Sequence, residues 1–178
     1  VENMGFAMIN YSSKHIRYLG GGIDWNDLSV LDIHATAHDL AFKDGIMSGT
    51  AEKVSFREKT GFDVSNMSGT ARVGRGKTIV DNFKIKDQWS DLTFTQFMMS
   101  YRNIDDFKDF IKCVKLDGQI EKSVIDFRTI ANFAPQLEGN NLSADVSGVV
   151  SGTIEDFTIT NVSFASRDGG FSGIVNGR

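Results

Sequence analysis

The run Gly74-Arg75-Gly76-Lys77-Thr78 ends in the Gly-Lys-Thr of a phosphate-binding loop. Such a loop needs a glycine five places before Gly76, where Ala71 stands, and a helix N-terminus behind it to hold the phosphate. The residues that follow, Ile79 to Asp87, alternate apolar and polar, so the run reads as a hairpin turn leading into a strand. Asp32, His34 and His38 fall on one face of a predicted strand, a spacing that could bring imidazoles towards a metal. A metal site also draws ligands and supporting partners from other elements, and His15 is the one remaining histidine. A solvated polar face accounts for the trio. The acidic pairs Asp105-Asp106 and Glu155-Asp156 could be offered as catalytic carboxylates, but helix-start electrostatics explain the first and a strand junction the second. Cys113, the single cysteine, excludes an internal disulfide and a cysteine-based zinc site, and its apolar neighbours suggest a buried, inert thiol. No nucleophile elbow accompanies the serines and histidines. Trp25 and Trp89 are the only tryptophans that could stack on a sugar in a β-helical hydrolase, and nothing places them together. The expectation is a protein that is not an enzyme and carries no metal or cofactor.

The elements that would position these residues are strands. Among 178 residues there are eighteen glycines, fourteen phenylalanines and one proline, with hydroxyl residues alternating with apolar ones. Turn signals stand at Gly20-Gly21-Gly22, Asp44-Gly45, Thr60-Gly61, Gly74 to Lys77, Asp117-Gly118 and Asp168-Gly169-Gly170. Asp117-Gly118 lies inside a plausible strand, where it would mark a bulge. Strands are predicted at about 28–42, 46–57, 61–73, 78–87, 90–101, 114–125, 141–154, 156–165 and 170–176, with earlier ones near 5–11 and 15–20. Ile104, Phe107, Phe110, Ile111 and Val114 instead follow helical spacing behind Asn103 as N-cap, which predicts a short helical insertion at about 103–113. A second helical turn is predicted from Asp126 towards Pro135.

The chain is thus read as a single mainly β segment: long antiparallel strands forming a curved sheet or roll, with one or two short helices. In the strand predicted at 141–154, Leu142, Ala144, Val146, Gly148, Val150, Gly152 and Ile154 share one face. The pentapeptide Met-Ser-Gly-Thr-Ala occurs at 47–51 and again at 67–71, and in each copy Met, Gly and Ala point one way while Ser and Thr point the other. The doublet is expected to be scaffold, with 20 residues approximating an out-and-back strand pair. Candidate inward residues are Met47, Met67, Val73, Phe83, Ile85, Leu142, Val146, Val150 and Ile154, which could line an open apolar groove or fill a closed core. The net charge of -4, with dispersed basic residues, argues against a nucleic-acid partner. No apolar run approaches the roughly 18 residues needed to cross a bilayer as a helix, and the start without methionine suggests an excised piece of a longer chain.

The stretch Val54 to Gly69, with its Phe-Arg-Glu-Lys-x-Gly-Phe run, resembles a segment of the large TamB-like proteins, the translocation and assembly module members of the AsmA-like superfamily, in their Bacteroidota version. Phe133 to Leu137 and the strands that begin at Gly21 are similar to the same family. The resemblance implies an envelope protein anchored in the inner membrane, whose long strand-built body curls into a U-shaped, taco-like sheet with an apolar lumen across the periplasm. It implies a part in moving phospholipid between the inner and outer membranes, and in assembling outer-membrane proteins with an outer-membrane barrel partner. No catalytic residues are implied; phospholipid acyl chains would lie along the inward face of this internal segment. The rival expectation is a structural or adhesive β-solenoid scaffold that binds protein partners.

Overall fold

In the computed structural model the described residues are 4–9, 22–24, 27–134 and 137–178. They build ten strands: β1 (Met4–Ile9), β2 (Asp27–Lys43), β3 (Ile46–Glu58), β4 (Asp63–Gly74), β5 (Lys77–Asp87), β6 (Asp91–Ser100), β7 (Lys115–Asp126), β8 (Ser143–Gly152), β9 (Phe157–Ser166) and β10 (Ser172–Gly177). All belong to one sheet whose strand order is the chain order, each strand antiparallel to the one before it. The sheet is open, with β1 and β10 at its two edges. A 3₁₀ turn (Ile104–Asp109) runs into α1 (Phe110–Cys113), and α2 (Phe127–Ala131) follows β7. The mainly β class and the two helical segments agree with the sequence. No helix among the described residues is long and apolar enough to cross a membrane.

The predicted turns close the hairpins. Asp44 and Gly45 both take positive φ between β2 and β3, the combination that matches the twist of a two-residue hairpin. Gly76, at φ 74°, turns β4 into β5, so the Gly-Lys-Thr run is a hairpin and its lysine and threonine open a strand. Asn103 caps the helical insertion by accepting a hydrogen bond from Asp105 N at 2.8 Å, and Asp126 caps α2 by accepting from Arg128 N at 2.9 Å.

Two expectations change. The strand predicted at 141–154 is ten residues, not fourteen. Leu142 instead gives its carbonyl to Phe127 N at 2.9 Å, while beyond Gly152 a turn closes from Asp156 N to the Thr153 carbonyl at 3.1 Å. The longest strand is β2, at seventeen residues. At Asp117-Gly118 the register step belongs to β6, between Phe94 and Phe97; Gly118 is needed because a Cβ there would stand 2.9 Å from Phe94 Cδ1. The strand expected near 15–20 lies outside the described residues.

Bulges interrupt the period-two alternation. Asp32, Asp39, Asn82 and Asn161 take left-handed φ between 49° and 53° within strands, a conformation that Asp and Asn tolerate better than other non-glycine residues. Register steps fall at or beside each: Leu31/His34, His38/Ala41, Ser68/Thr70 and Ser147/Val149. Each of the four is followed by an apolar residue, Ile33, Leu40, Phe83 or Val162. Val80 and Phe83 are three apart and would point to opposite faces of a plain strand; the extra residue at Asn82 returns them to one face. Ile159 and Val162 are brought together in the same way by Asn161. Opposite two of these bulges stand glycines with φ near 150°: Gly69 at 150° and Gly148 at 146°. A Cβ on Gly148 would lie 2.6 Å from Val162 Cα, so the neighbouring backbone itself occupies the space of a side chain.

Candidate apolar groove

Cross-strand register sorts the sheet into two faces. On one, Met47 pairs Val73, Val73 pairs Thr78, Thr78 pairs Met99 and Met99 pairs Leu116. A second row runs through Ala35, Val54, Met67, Ile85 and Leu92, and a third through Phe83, Phe94, Ile120 and Gly148. The opposite face carries Thr50 against Thr70, Arg72 with Asp81 at 2.7 Å, and Gln96 donating to Asp81 at 2.7 Å. The two Met-Ser-Gly-Thr-Ala copies therefore lie side by side on β3 and β4, with Thr50 and Thr70 hydroxyls 3.1 Å apart outside and Gly49 paired with Ala71 inside.

The apolar face is filled unevenly. Val146 and Val150 on β8 are 7% and 8% exposed and belong to packed interior. Phe83, Phe94 and Phe97 pack ring against ring at 5.2 to 5.7 Å, over the space Gly118 leaves open. Met67 and Ile85 pack against Ile23, Phe62 and Val64, joined by Phe133. Over β2 to β4 towards the 43–46 turn the face is open: Met47 is 55% exposed and Val73 half-buried. Leu142 and Ile154 flank β8, both half-buried, and stand outside its paired residues. The nine candidates thus do not form one uniform wall.

The two ends of the sheet are closed by different means. At one end β3, β5 and β7 each finish on a buried carboxylate that ties down the turn after it. Glu58 Oε2 accepts from Thr60 N at 2.7 Å, and Asp87 Oδ1 accepts from Trp89 N and Ser90 N, both at 2.7 Å. Asp126 receives Arg128 Nε on Oδ1 and Arg128 Nη2 on Oδ2, each at 2.8 Å, and also the Ser143 hydroxyl. The Arg128 hydrogen bonds hold the Asp126 carboxyl down at about 2, against the opposing effect of burial. A buried relay links two of these turns: Asp126 N donates to Ser90 Oγ, which donates to Thr129 Oγ1, which donates to Asp87 Oδ2. Serine, threonine and carboxylate are thus assembled with each hydroxyl donating a hydrogen bond, an arrangement that fixes the two turns relative to each other. At the other end the helical insertion is tied to the start of β5 through Tyr101 and to the turn after β8. Tyr101 Oη is 3.2 Å from Thr78 Oγ1 and its ring is 4.9 Å from that of Phe107, while Glu155 N donates to the Ile111 carbonyl at 3.2 Å.

The other chemical candidates are dispersed. His34 and His38 sit on the polar face, with His38 Nδ1 2.8 Å from Asp39 and Nε2 3.5 Å from Glu52. No group of three metal-ligating side chains occurs among the described residues; His15 and Trp25 lie outside them. Asp106 is buried against Arg102, which lowers its pKa, and Asp156 is likewise lowered by Arg178. Cys113 is half-buried rather than buried, and its sulfur lies 3.8 Å from Arg102 Nη2. The Arg128 guanidinium covers the Trp89 ring at 5.3 Å. The sequence reading passed over Glu58, Asp87 and Asp126, whose signal is an acidic residue two or three places before a Ser or Thr in a turn.

The fold and its faces define an open antiparallel β-meander with one apolar side. The chain matches no family model, no curated protein and no solved structure.

Proposed function

We propose that this chain is a non-enzymatic, groove-forming segment of a cell-envelope protein, and that the open part of its apolar face carries phospholipid acyl chains. The observation that supports this reading is the sorting of apolar side chains to a single face of a single-layer sheet, left open along β2 to β4. An acyl chain laid on such a face leaves water at about 0.8 kcal/mol per methylene, and a headgroup can remain in solvent. Taken with the resemblance of Val54 to Gly69, the reading extends to a parent protein proposed to lie in the periplasm, tethered to the inner membrane. There it would act in phospholipid transport between the two membranes and, with an outer-membrane barrel, in outer-membrane protein assembly.

The burial pattern chooses the test positions. A photocrosslinking residue at Met47 or Val73 in a cell envelope should capture phospholipid, while one at Ser48 or Arg72, on the opposite face, should not. Adducts absent from both inward positions would defeat the reading. The packed interior around Val146, Val150 and Phe94 is what favours the second reading, a structural scaffold that binds protein partners. That reading expects no lipid on organic extraction of the purified protein.

A further inference from the structure

At the 43–46 turn the apolar face leaves the cover of the rest of the molecule. Phe42 is 78% exposed and Leu40 74%; Met47 on the same face is also exposed, as is Ile46, which pairs with Lys43 on the other face. Leu40 sits on the apolar face against Gly49, and Phe42 shares that face through its pairing with Met47. Further along the same end, Tyr101 reaches over Thr78, which is buried, and packs its ring against Phe107 of the helical insertion. Ile104 of the insertion and Ile174 of β10 are also exposed, but the hairpin tip groups several large apolar side chains where soluble hairpins usually carry polar ones.

Cations outnumber carboxylates around that tip, where Asp44 is the one acidic residue of the turn. Lys43 ends β2, and Arg75 and Lys77 lie at the turn between β4 and β5, two to three strand spacings or about 10–15 Å away. All three are exposed and none forms an ion pair among the described residues; Lys43 and Lys77 lie on the polar face, so at the tip they stand back to back with Phe42 and Leu40. The basic residues that bracket the opposite end of β2–β4 are paired: Arg57 with Asp63 at 3.3 Å and Lys59 with Asp27 at 2.6 Å. Exposed Phe42, Leu40, Met47 and Ile46, with three cations against the single carboxylate of Asp44, make a surface for an apolar phase with a negatively charged boundary.

We infer that the β2–β3 hairpin tip docks on an anionic lipid bilayer, with Phe42 and Leu40 entering the headgroup region and Lys43, Arg75 and Lys77 meeting lipid phosphates. This goes beyond acyl-chain binding, since a groove can hold acyl chains without touching a membrane.

The test is sedimentation of the chain with phosphatidylcholine vesicles, with and without phosphatidylglycerol. Binding is expected only to the anionic vesicles and should weaken as salt is raised. Lys43→Gln, Arg75→Gln and Lys77→Gln together should lower the partition coefficient on the order of 100-fold, at about fivefold per cation near a charged surface. Phe42→Ser with Leu40→Ser should abolish binding while the β-sheet circular dichroism is retained, since both side chains are exposed. Equal binding to neutral vesicles, or binding indifferent to Phe42 and Leu40, overturns the inference. So does a dimer in analytical ultracentrifugation that the Phe42→Ser, Leu40→Ser variant dissolves, because the tip would then belong to a second copy. Crosslinking to lipid at Val73 reads the groove separately, so failure of one leaves the other standing.

Discussion

Asp126 shows how one residue can close a turn, start a helix and fix a cation. It is fully buried, caps α2 and holds Arg128, whose guanidinium in turn lies over Trp89. Its pKa in the folded protein is about 2 against an ordinary 3.8, so as pH falls the unfolded chain takes up the proton first. The stabilisation is complete above the ordinary value and is lost as pH drops through about 2. Asp106 and Asp156 are shifted in the same direction. The urea midpoint is therefore expected to fall as pH is lowered from about 4 towards 2. Asp126→Asn should be less stable by roughly 2–3 kcal/mol at neutral pH and show a shallower acid limb. Phe94 is the corresponding apolar case: buried against Phe83, Phe97 and Gly118, it should cost roughly 3–5 kcal/mol on substitution by alanine, read by the same denaturation.

For the elements, the bulges decide what the strands can do. A bulge bends its strand and raises local twist, and here each also restores the phase of the apolar face. Gly148 should tolerate no side chain: alanine there meets Val162 Cα and a positive φ, with an expected loss of about 1–3 kcal/mol. Alanine at Gly173, where nothing lies within 4 Å, should change stability by less than about 0.5 kcal/mol. Thermal denaturation of the two variants checks the contrast. These devices also set the limit of what was legible in the chain. Alternation and Gly-centred turns placed the strands to within about three residues, because a half-buried sheet writes its period into the sequence. Four of the bulges are marked only by an Asp or Asn before an apolar residue, and that dipeptide acts as a bulge only opposite a suitable neighbour. Pairing of the two Met-Ser-Gly-Thr-Ala copies likewise follows from the hairpin between them and from neither copy alone.

Across the molecule, the sheet combines a packed half and an open margin. Val64, Val114, Ala144, Val146 and Val150 are buried, whereas every residue of β10 and the β2–β3 tip is exposed. Hydrogen exchange is expected to be slowest for amides of β4 to β8 and fastest for β10 and residues 40–47, and mass spectrometry of exchanged peptides would read the gradient. Uniform protection from edge to edge would contradict the division. The candidate groove was legible as a face but not as a depth. Period-two patterning says which way Met47 and Val146 point, and only the neighbours brought by the helical insertion, the phenylalanine cluster and the Ile23–Phe62–Val64 contacts decide which of them is covered.

The strand order has a further consequence, for how the chain reaches this state. Each strand pairs only with those immediately before and after it, so no loop has to close over a long stretch of unfolded polypeptide before its contacts form. Contact order is low for an all-β protein, and assembly can start at any stable hairpin and spread by adding one strand at a time. A lineage could lengthen or shorten such a sheet two strands at a time, because each hairpin enters as a unit and leaves the pairing of the others in place.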